Sequence, residues 1–434
     1  MSGHSWTQRL LLALNLIVIT ACFVGAGALL TARYYGNSLN RVDLAAPAIS
    51  VDLGGTPAVD PATRDTVTDE PAAPTETFPD VDAAAKNFLI TGADNNSCLD
   101  PNSPYASAFG DRSTMGARSD TVMIMRVDPS TKQAAVLSFP RDLWVDIAGR
   151  GSKQRINTAY VRDDPQRLID TIYQNFGVGV DHFIQIDFCA FRTIVNGLGG
   201  VAVPFTFPAR DANTGLNVPV GGGTCFTFDG DHALAYVRSR HYQYQDTNGK
   251  WKTDPVGDLG RVSRQQDFLR RVLSAALDRG VTDPSVARSL IKAAQQNVVV
   301  DKQLTVDRML EFVGVLRNFE PGGIATYQIE TKGAKISGNS VLLPQIKGDN
   351  MQAILRIFKG EAPLAGAPEQ VFETTTTVAP STTAGPSTSA GSSTSVGATT
   401  TTTTTMPPAT ATTISQPDPE QNPKGIVPPV DVSC

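Results

Sequence analysis

From Leu10 to Ala32 the chain carries no charged residue, and that run limits what the N-terminus can become more than any other feature does. Roughly 20 apolar residues suffice to cross a bilayer as a helix. Trp6 and Arg9 precede the run and Arg33, Tyr34 and Tyr35 follow it, side chains suited to the two membrane interfaces. The run predicts a short cytoplasmic N-terminus over 1–9 and one transmembrane helix over 10–32. A cleaved lipoprotein signal is the alternative, since Ile19–Cys22 reads "ITAC". Against it, "FVGAGALL" continues the apolar run past Cys22, where a lipid-anchored chain calls for a polar tether. Arg9 and Arg33 balance each other, so orientation rests on other features. Cys98, Cys189, Cys225 and Cys434 are even in number and fit disulfides in an oxidising space, against the alternative of four buried thiols. Three pairings are open.

Composition divides the chain beyond the apolar run. Residues 36–85 hold nine acidic side chains against Arg41 and Arg64, among Pro, Ala and Thr, which predicts an extended acidic linker over 33–85. From residue 361 to 434 the chain is rich in Thr, Ser, Ala, Pro and Gly and offers little to bury, which predicts a disordered tail. A Thr/Ser/Pro segment is typical of chains that enter a wall, so the folded part is placed outside the membrane.

That folded part, 86–360, alternates β-rich with helical stretches, the pattern of a layered α/β domain. Strands are expected at "NFLIT", "TVMIMRV", "AAVLSF", "FIQIDF", "VAVPF" and "ATYQIE". Helices are expected at 165–176, within "FRTIVNGLGG", and at 261–278, 284–297, 305–318 and 349–359. The fold class is a three-layer α/β/α sandwich with a central mixed sheet.

Phosphate-loop, serine-hydrolase elbow, HExxH and CxxC motifs are missing from the sequence, which removes the main support for those chemistries. His182, His232 and His241 are too scattered to suggest a metal site. A net charge of −5 without a contiguous basic run argues against nucleic acid. What stands out is where Arg and Asp fall together. Asp94 follows one strand-like stretch, Arg118 and Asp120 precede another, Arg141 and Asp142 follow a third, and Arg238 and Arg240 close "LAYV". In layered α/β sheets such strand ends converge on one crevice. In "DLGRVSRQQDF", Asp258, Arg261 and Gln265 share one helix side, while Val262, Leu269 and Leu273 turn to the core. A ring of Arg118, Arg141, Arg238, Arg240 and Arg261 is costly without an anion, and guanidinium forks match phosphate oxygens. Asp94 and Asp120 beside a phosphate suggest a bridging cation, and Mg²⁺ uses one or two carboxylates together with substrate phosphates.

The stretches "FLITGAD", "RSDTVMIMRVDPSTKQAAVLSFPRDLWVDI", "RINTAY", "IDFCAFRTIVNGLGGVAV", "FDGDHALAYVRSRH" and "GDLGRVSRQQDFL" resemble, in order and wording, the LytR-CpsA-Psr family, actinobacterial type, over about 87–277. The resemblance implies a single-pass membrane enzyme whose catalytic domain lies on the outer face of the cytoplasmic membrane. Such enzymes transfer a glycan phosphate from a polyprenyl-diphosphate-linked glycopolymer to a peptidoglycan hydroxyl, with arabinogalactan or a related wall glycan the expected polymer. It implies Asp94 and Asp120 as Mg²⁺ carboxylates and Arg118, Arg141, Arg238, Arg240 and Arg261 as diphosphate ligands, with Gln265 and Asp258 in the same pocket. Arg155 stands where the family often has Lys; Arg155 and Asp142 are assigned to substrate binding. The family's GxDxR pattern is broken by Asn96, and "SCLDPNSPYASAFGDRSTMG" separates Asp94 from Asp120. Asp142 or Asp258 could assist deprotonation. The lipid is expected in a groove between helix and sheet, with "LIDTIYQNF" either lining it or serving as ordinary core. Two other readings stay open: a non-catalytic envelope protein that binds prenyl-linked glycans or regulates wall assembly, and a diphosphate hydrolase.

Overall fold

The computed structural model describes residues 40–45, 84–93, 98, 102–103, 105, 119–162, 164–278, 298–305, 308–309, 312, 324–372, 422–429, 432 and 434. The predicted transmembrane run 10–32 and the helices expected at 284–297 and over most of 305–318 lie outside the described residues. Among the described residues no helix is long and apolar enough to cross a membrane.

Seven strands form the central sheet: β1 (Asn40–Val42), β2 (Lys86–Ala93), β3 (Val122–Asp128), β4 (Gln133–Ser138), β7 (His182–Asp187), β14 (Val298–Asp301) and β15 (Ala325–Gln328). Their order is β1-β14-β7-β2-β3-β4-β15. Strand β2 runs parallel to β7 and antiparallel to β3, which is antiparallel to β4, so the sheet is mixed. The smaller strands are β5 (Trp144–Asp146), β6 (Lys153–Arg155), β8 (Val201–Phe205), β9 (Ala209–Asp211), β10 (Leu216–Val218), β11 (Thr224–Phe228), β12 (Gln243–Gln245), β13 (Trp251–Thr253), β16 (Thr331–Ile336) and β17 (Asn339–Pro344). The helices are α1 (Gln166–Phe176), α2 (Phe188–Gly197), α3 (Gly230–Arg238), α4 (Asp258–Asp278) and α5 (Asp349–Lys359).

Both faces of the sheet are covered. On one, α1 buries Leu168, Ile169, Ile172 and Phe176 and α5 buries Met351, Ile354 and Phe358 against Leu89, Ile124 and Leu137. Helix α1 stops where Gly177 takes φ 69°, a left-handed conformation that glycine adopts without strain. On the other face Leu269 and Leu273 of α4 pack over Phe88, Met123 and Val136. Alternate residues of one strand thus feed two different cores, as the two-residue period of a strand requires.

One expected strand lies outside the central sheet, and two expectations are corrected. "VAVPF" is a strand, β8, but pairs with β11 in a separate two-stranded ribbon; Pro204 has no N–H to give a central ladder, and a ribbon edge tolerates it. This ribbon, α2, α3 and the sheet β10-β9-β12-β13 enclose a second core around Phe205, Phe228, Tyr236 and Phe268. The linker begins inside the fold: β1 pairs in parallel with β14, Arg41 donates to the Leu304 carbonyl at 3.1 Å, and Lys302 pairs with Asp43 at 2.6 Å. The tail is docked at both flanks. Gln370 exchanges hydrogen bonds with the backbone of Gln328, and Ile426 is buried in the second core, while 373–421 lies outside the described residues. Apolar residues at these flanks, sparse but placed at the ends, give the tail something to bury. The disulfides are Cys98–Cys189 and Cys225–Cys434.

Candidate functional site

Strand direction gathers the site. Since β3 runs opposite to β2, β4 and β7, the residue before β3 meets those just after β4 and β7 at one end of the sheet. Asp120 stands before β3, Arg141 follows β4, and Asp187 ends β7. Helix α2 springs directly from that strand, its first turn capped by Asp187, which accepts from the Ala190 N–H at 2.8 Å. Helix α3 is capped likewise by Asp229 at the His232 N–H, 2.8 Å, and ends by delivering Arg238 and Arg240.

Asp120 is the hub. Its Oδ1 accepts from Arg141 Nη1 at 2.9 Å, its Oδ2 lies 2.8 Å from Arg240 Nη2, and its backbone carbonyl accepts from Arg261 Nη1 at 2.9 Å. Arg261, only 1% exposed, also donates through Nε and Nη2 to both oxygens of Asp258, each at 2.9 Å. Arg240 Nε reaches Asp258 at 3.4 Å. Asp142 extends the network outward, 3.3 Å from Arg141 and 3.2 Å from Arg155, whose Nη2 donates to the Ser340 carbonyl. Arginines 141, 155, 240 and 261 and aspartates 120, 142 and 258 thus form one connected set with an excess of positive charge.

Electrostatics reflect this crowding. Burial raises the Asp120 carboxyl, but Arg240, Arg261 and Arg141 more than reverse this and hold it below the usual carboxylate range. Asp258 shows the same balance: burial raises it, and Arg261, then Arg240 and Arg141, bring it lower. Arg240 moves down because of burial and because Arg261 and Arg141 repel it. Such accumulation of like charge is relieved by an anion.

Next to this polar set lies an apolar cavity of about 160 Å³. Its wall comes from the sheet (Ile90, Met123, Ile186), from α2 (Phe191, Ile194) and from α4 (Phe268, Leu269). Asp120, Arg238 and Gln265 stand on the same wall, so the charged set and the cavity share a border. Arg238 stacks on Phe188, its guanidinium carbon 4.5 Å from the ring centre, and Gln265 donates to the Val237 carbonyl at 3.0 Å. The arrangement can take an amphipathic anion, with charge on the arginines and an apolar chain in the cavity.

Of the residues expected from sequence, Arg141, Arg238, Arg240, Arg261, Gln265, Asp258, Asp120, Arg155 and Asp142 converge on this place. Asp94 and Arg118 lie outside the described residues. The expected lipid-groove stretch "LIDTIYQNF" is α1, whose apolar side belongs to the core on the opposite face of the sheet; it is core and not cavity wall. Unforeseen were the cavity wall from α2 and a buried set beneath the arginines: Asp211, Ser239, Asp254 and Arg264. Arg264 lies in the same stretch as Arg261, three residues on; charge alone does not tell a buried guanidinium from an exposed one. Among the described residues no group of three His, Cys, Asp or Glu could hold a metal ion. Asp120 offers an ionised oxygen at the border of the arginine set, a hard donor of the kind Mg²⁺ takes beside phosphate oxygens.

Several known proteins are similar to the chain. Residues 59–357 match the sequence profile of the LytR_cpsA_psr family. The polyisoprenyl-teichoic acid–peptidoglycan teichoic acid transferase TagU of Bacillus subtilis is 30% identical over 241 residues, covering 55% of this chain and 71% of that protein. The probable cell wall biosynthesis protein LcpB of Corynebacterium glutamicum is 31% identical over 197 residues, 45% of this chain and 43% of that protein. Among solved structures, B. subtilis TagV superposes with a TM-score of 0.49 at 21% identity, covering 65% of this chain and 100% of that one. The LytR-Csp2A-Psr enzyme from Actinomyces oris gives 0.47 at 24%, covering 64% of this chain and 90% of that one. With the profile spanning well over half of its length, the chain belongs to the LytR-CpsA-Psr family.

Proposed function

We propose that the chain is a cell-wall glycopolymer transferase that moves a glycan phosphate from a polyprenyl-diphosphate carrier to a hydroxyl of peptidoglycan. The observation that carries this reading is the shared border between the arginine set and the apolar cavity, which suits a ligand charged at one end and greasy at the other. The names of the relatives point the same way: TagU acts between polyisoprenyl-linked polymer and peptidoglycan.

In this reading the prenyl chain lies along Ile90, Met123, Ile186 and Phe268, and the diphosphate reaches Arg238, Arg240, Arg141 and Arg261. The acceptor hydroxyl oxygen attacks the glycan-linked phosphorus, the bond to the bridging oxygen breaks, prenyl phosphate departs, and the hydroxyl proton passes to solvent. The arginines hold the charge that develops on the bridging oxygen. Asp258 and Asp142 are each tied to two arginines, so they orient those guanidiniums more than they abstract a proton. Positioning and electrostatics supply most of the catalysis in phosphoryl transfer. Mg²⁺, held by Asp120 and Asp94, would neutralise further phosphate charge when bound. The polymer we assign is an actinobacterial wall glycan such as arabinogalactan.

The uncharged run 10–32 anchors the chain, with the domain outside the cytoplasmic membrane. Two features support that placing. Both disulfides suit an oxidising compartment. Strand β1 enters the sheet with Asn40 toward the end where Asp187 and the arginine set lie, because Asn40 pairs with Val299 and Val298 with Ile186. A short connection therefore brings the site close to the bilayer that holds the lipid.

The test is release of prenyl monophosphate, coupled one-to-one to a new phosphodiester on a peptidoglycan fragment, by the purified chain with and without Mg²⁺. Release without acceptor coupling would make it a hydrolase. Binding without release would make it a non-catalytic carrier of prenyl-linked glycans. Chelation is expected to lower turnover and is measured in the same assay.

A further inference from the structure

Arg240 is crowded by like charge and stands on the turn between α3 and β12, so something must hold it inward. Its two chain neighbours are fastened to a single oxygen. The Ser239 hydroxyl donates to Asp211 Oδ2 at 2.7 Å, and the His241 N–H donates to the same oxygen at 3.0 Å. Asp211 is 1% exposed and its other oxygen accepts from the Asn213 N–H at 2.9 Å, which fixes the carboxylate in the β9–β10 turn. From the opposite side the Ser239 carbonyl accepts from Arg264 Nη2 at 3.0 Å. Arg264 is wholly buried, pairs with Asp254 at 2.6 Å and lies 4.1 Å over the Tyr242 ring. The same guanidinium donates to the Ile426 carbonyl at 3.4 Å. A buried ion pair seldom stabilises a fold better than apolar residues of the same shape. Here two buried charged clusters, one on a sheet turn and one on α4, close on one serine, the first on its hydroxyl and the second on its carbonyl.

We infer that Asp211, Ser239 and Arg264 are positioning residues that clamp the Arg238–His241 turn, so that Arg240 is held between Asp120 and Asp258 before the diphosphate arrives. The clamp spares the reaction the reorganisation of a cationic side chain that its neighbours repel. It rests on the reading of Arg240 as a diphosphate ligand, and it acts by placing Arg240: Arg238, at the end of α3, is held by its helix and by its stack on Phe188, and the bonds of Asp211 and Ser239 fasten the residues on either side of Arg240.

A double-mutant cycle on the full chain in detergent tests it, with a polyprenyl-diphosphate-linked disaccharide as donor and prenyl phosphate as readout. Ser239→Ala removes one hydroxyl and is expected to lower kcat about tenfold, with KM changed less than about twofold and little change in Tm. In an Arg240→Ala background the same substitution is expected to cost nothing further, because the residue it positions is gone. Should Ser239→Ala fail to fold, Asp211→Asn, close in shape, carries the same expectation. Full kcat in Ser239→Ala, or an equal loss in both backgrounds, overturns the clamp while leaving the proposed function standing. Undiminished transfer by Arg240→Ala overturns both.

Discussion

Asp120 and Arg240 show how a single pair of charges can serve stability and binding at once. Arg240→Ala should lower transfer by at least about a hundredfold, since it removes charge where charge develops. Its partner Asp120 keeps Arg141 and Arg261, so the Tm of that variant should move by only a few degrees; comparable losses in Tm and turnover would count against a role in the site. The acid limb of stability is set by the carboxylates. Folded Asp120 and Asp258 titrate below their unfolded value of about 3.9. They are ionised in both states at neutral pH, where their contribution is fully present, and they lose it as pH falls below about 4 toward the folded values. Tm should therefore be insensitive to these groups between about pH 5 and 8 and drop below about pH 4, with a shallower drop in Asp120→Asn. The convergence of Asp120 and Arg141 was legible in sequence because each stands beside a strand-like stretch, and antiparallel alternation brings such ends together; "LAYV", read as another strand end, is helix α3, so Arg238 and Arg240 arrive from the end of a helix and Asp258 and Arg261 from the start of one. Arg264 and Asp211 were not legible: burial of a charge depends on what crosses above it, and for Arg264 that is Ile426, 162 positions away.

Helix α4 sits between two demands, an arginine set at its start and two cores along its length. Gly260 stands there because a Cβ would run into Asp254 Oδ2 and press against Arg264 Nη1. Gly260→Ala should accordingly destabilise the fold by about 1–3 kcal/mol in a urea titration, although alanine is the better helix former. The cavity makes a different prediction through α2. Ile194→Trp should fill it and raise KM about tenfold for a long-chain donor, while leaving KM unchanged for a water-soluble diphosphate sugar; equal effects on both donors would remove the cavity from lipid binding. Periodicity gave α1, α4 and α5 and the two-faced strands of the main sheet. It did not separate the helix that lines the cavity from the one that fills the core, since α1 and α2 carry the same kind of apolar side and differ in which face of the sheet their connections reach.

At the scale of the molecule, the chain's two low-complexity segments are each tied to the domain where composition suggested free ends. Short apolar or β-forming pieces, Asn40–Val42 and Ile426 with its neighbours, were too brief to stand out against their surroundings, and partners far along the chain decide that they dock. Cys225 and Cys434 close a span of 209 residues. Cys225→Ser with Cys434→Ser should lower stability by about 2–4 kcal/mol, read from chemical denaturation, through the entropy returned to the unfolded chain. The bridge also turns everything between 226 and 433 into a covalent ring, the Thr-rich stretch included. A protease that nicks once between 373 and 421 would open that ring without shedding a fragment: one band on a denaturing gel run without thiol, two bands once thiol is added.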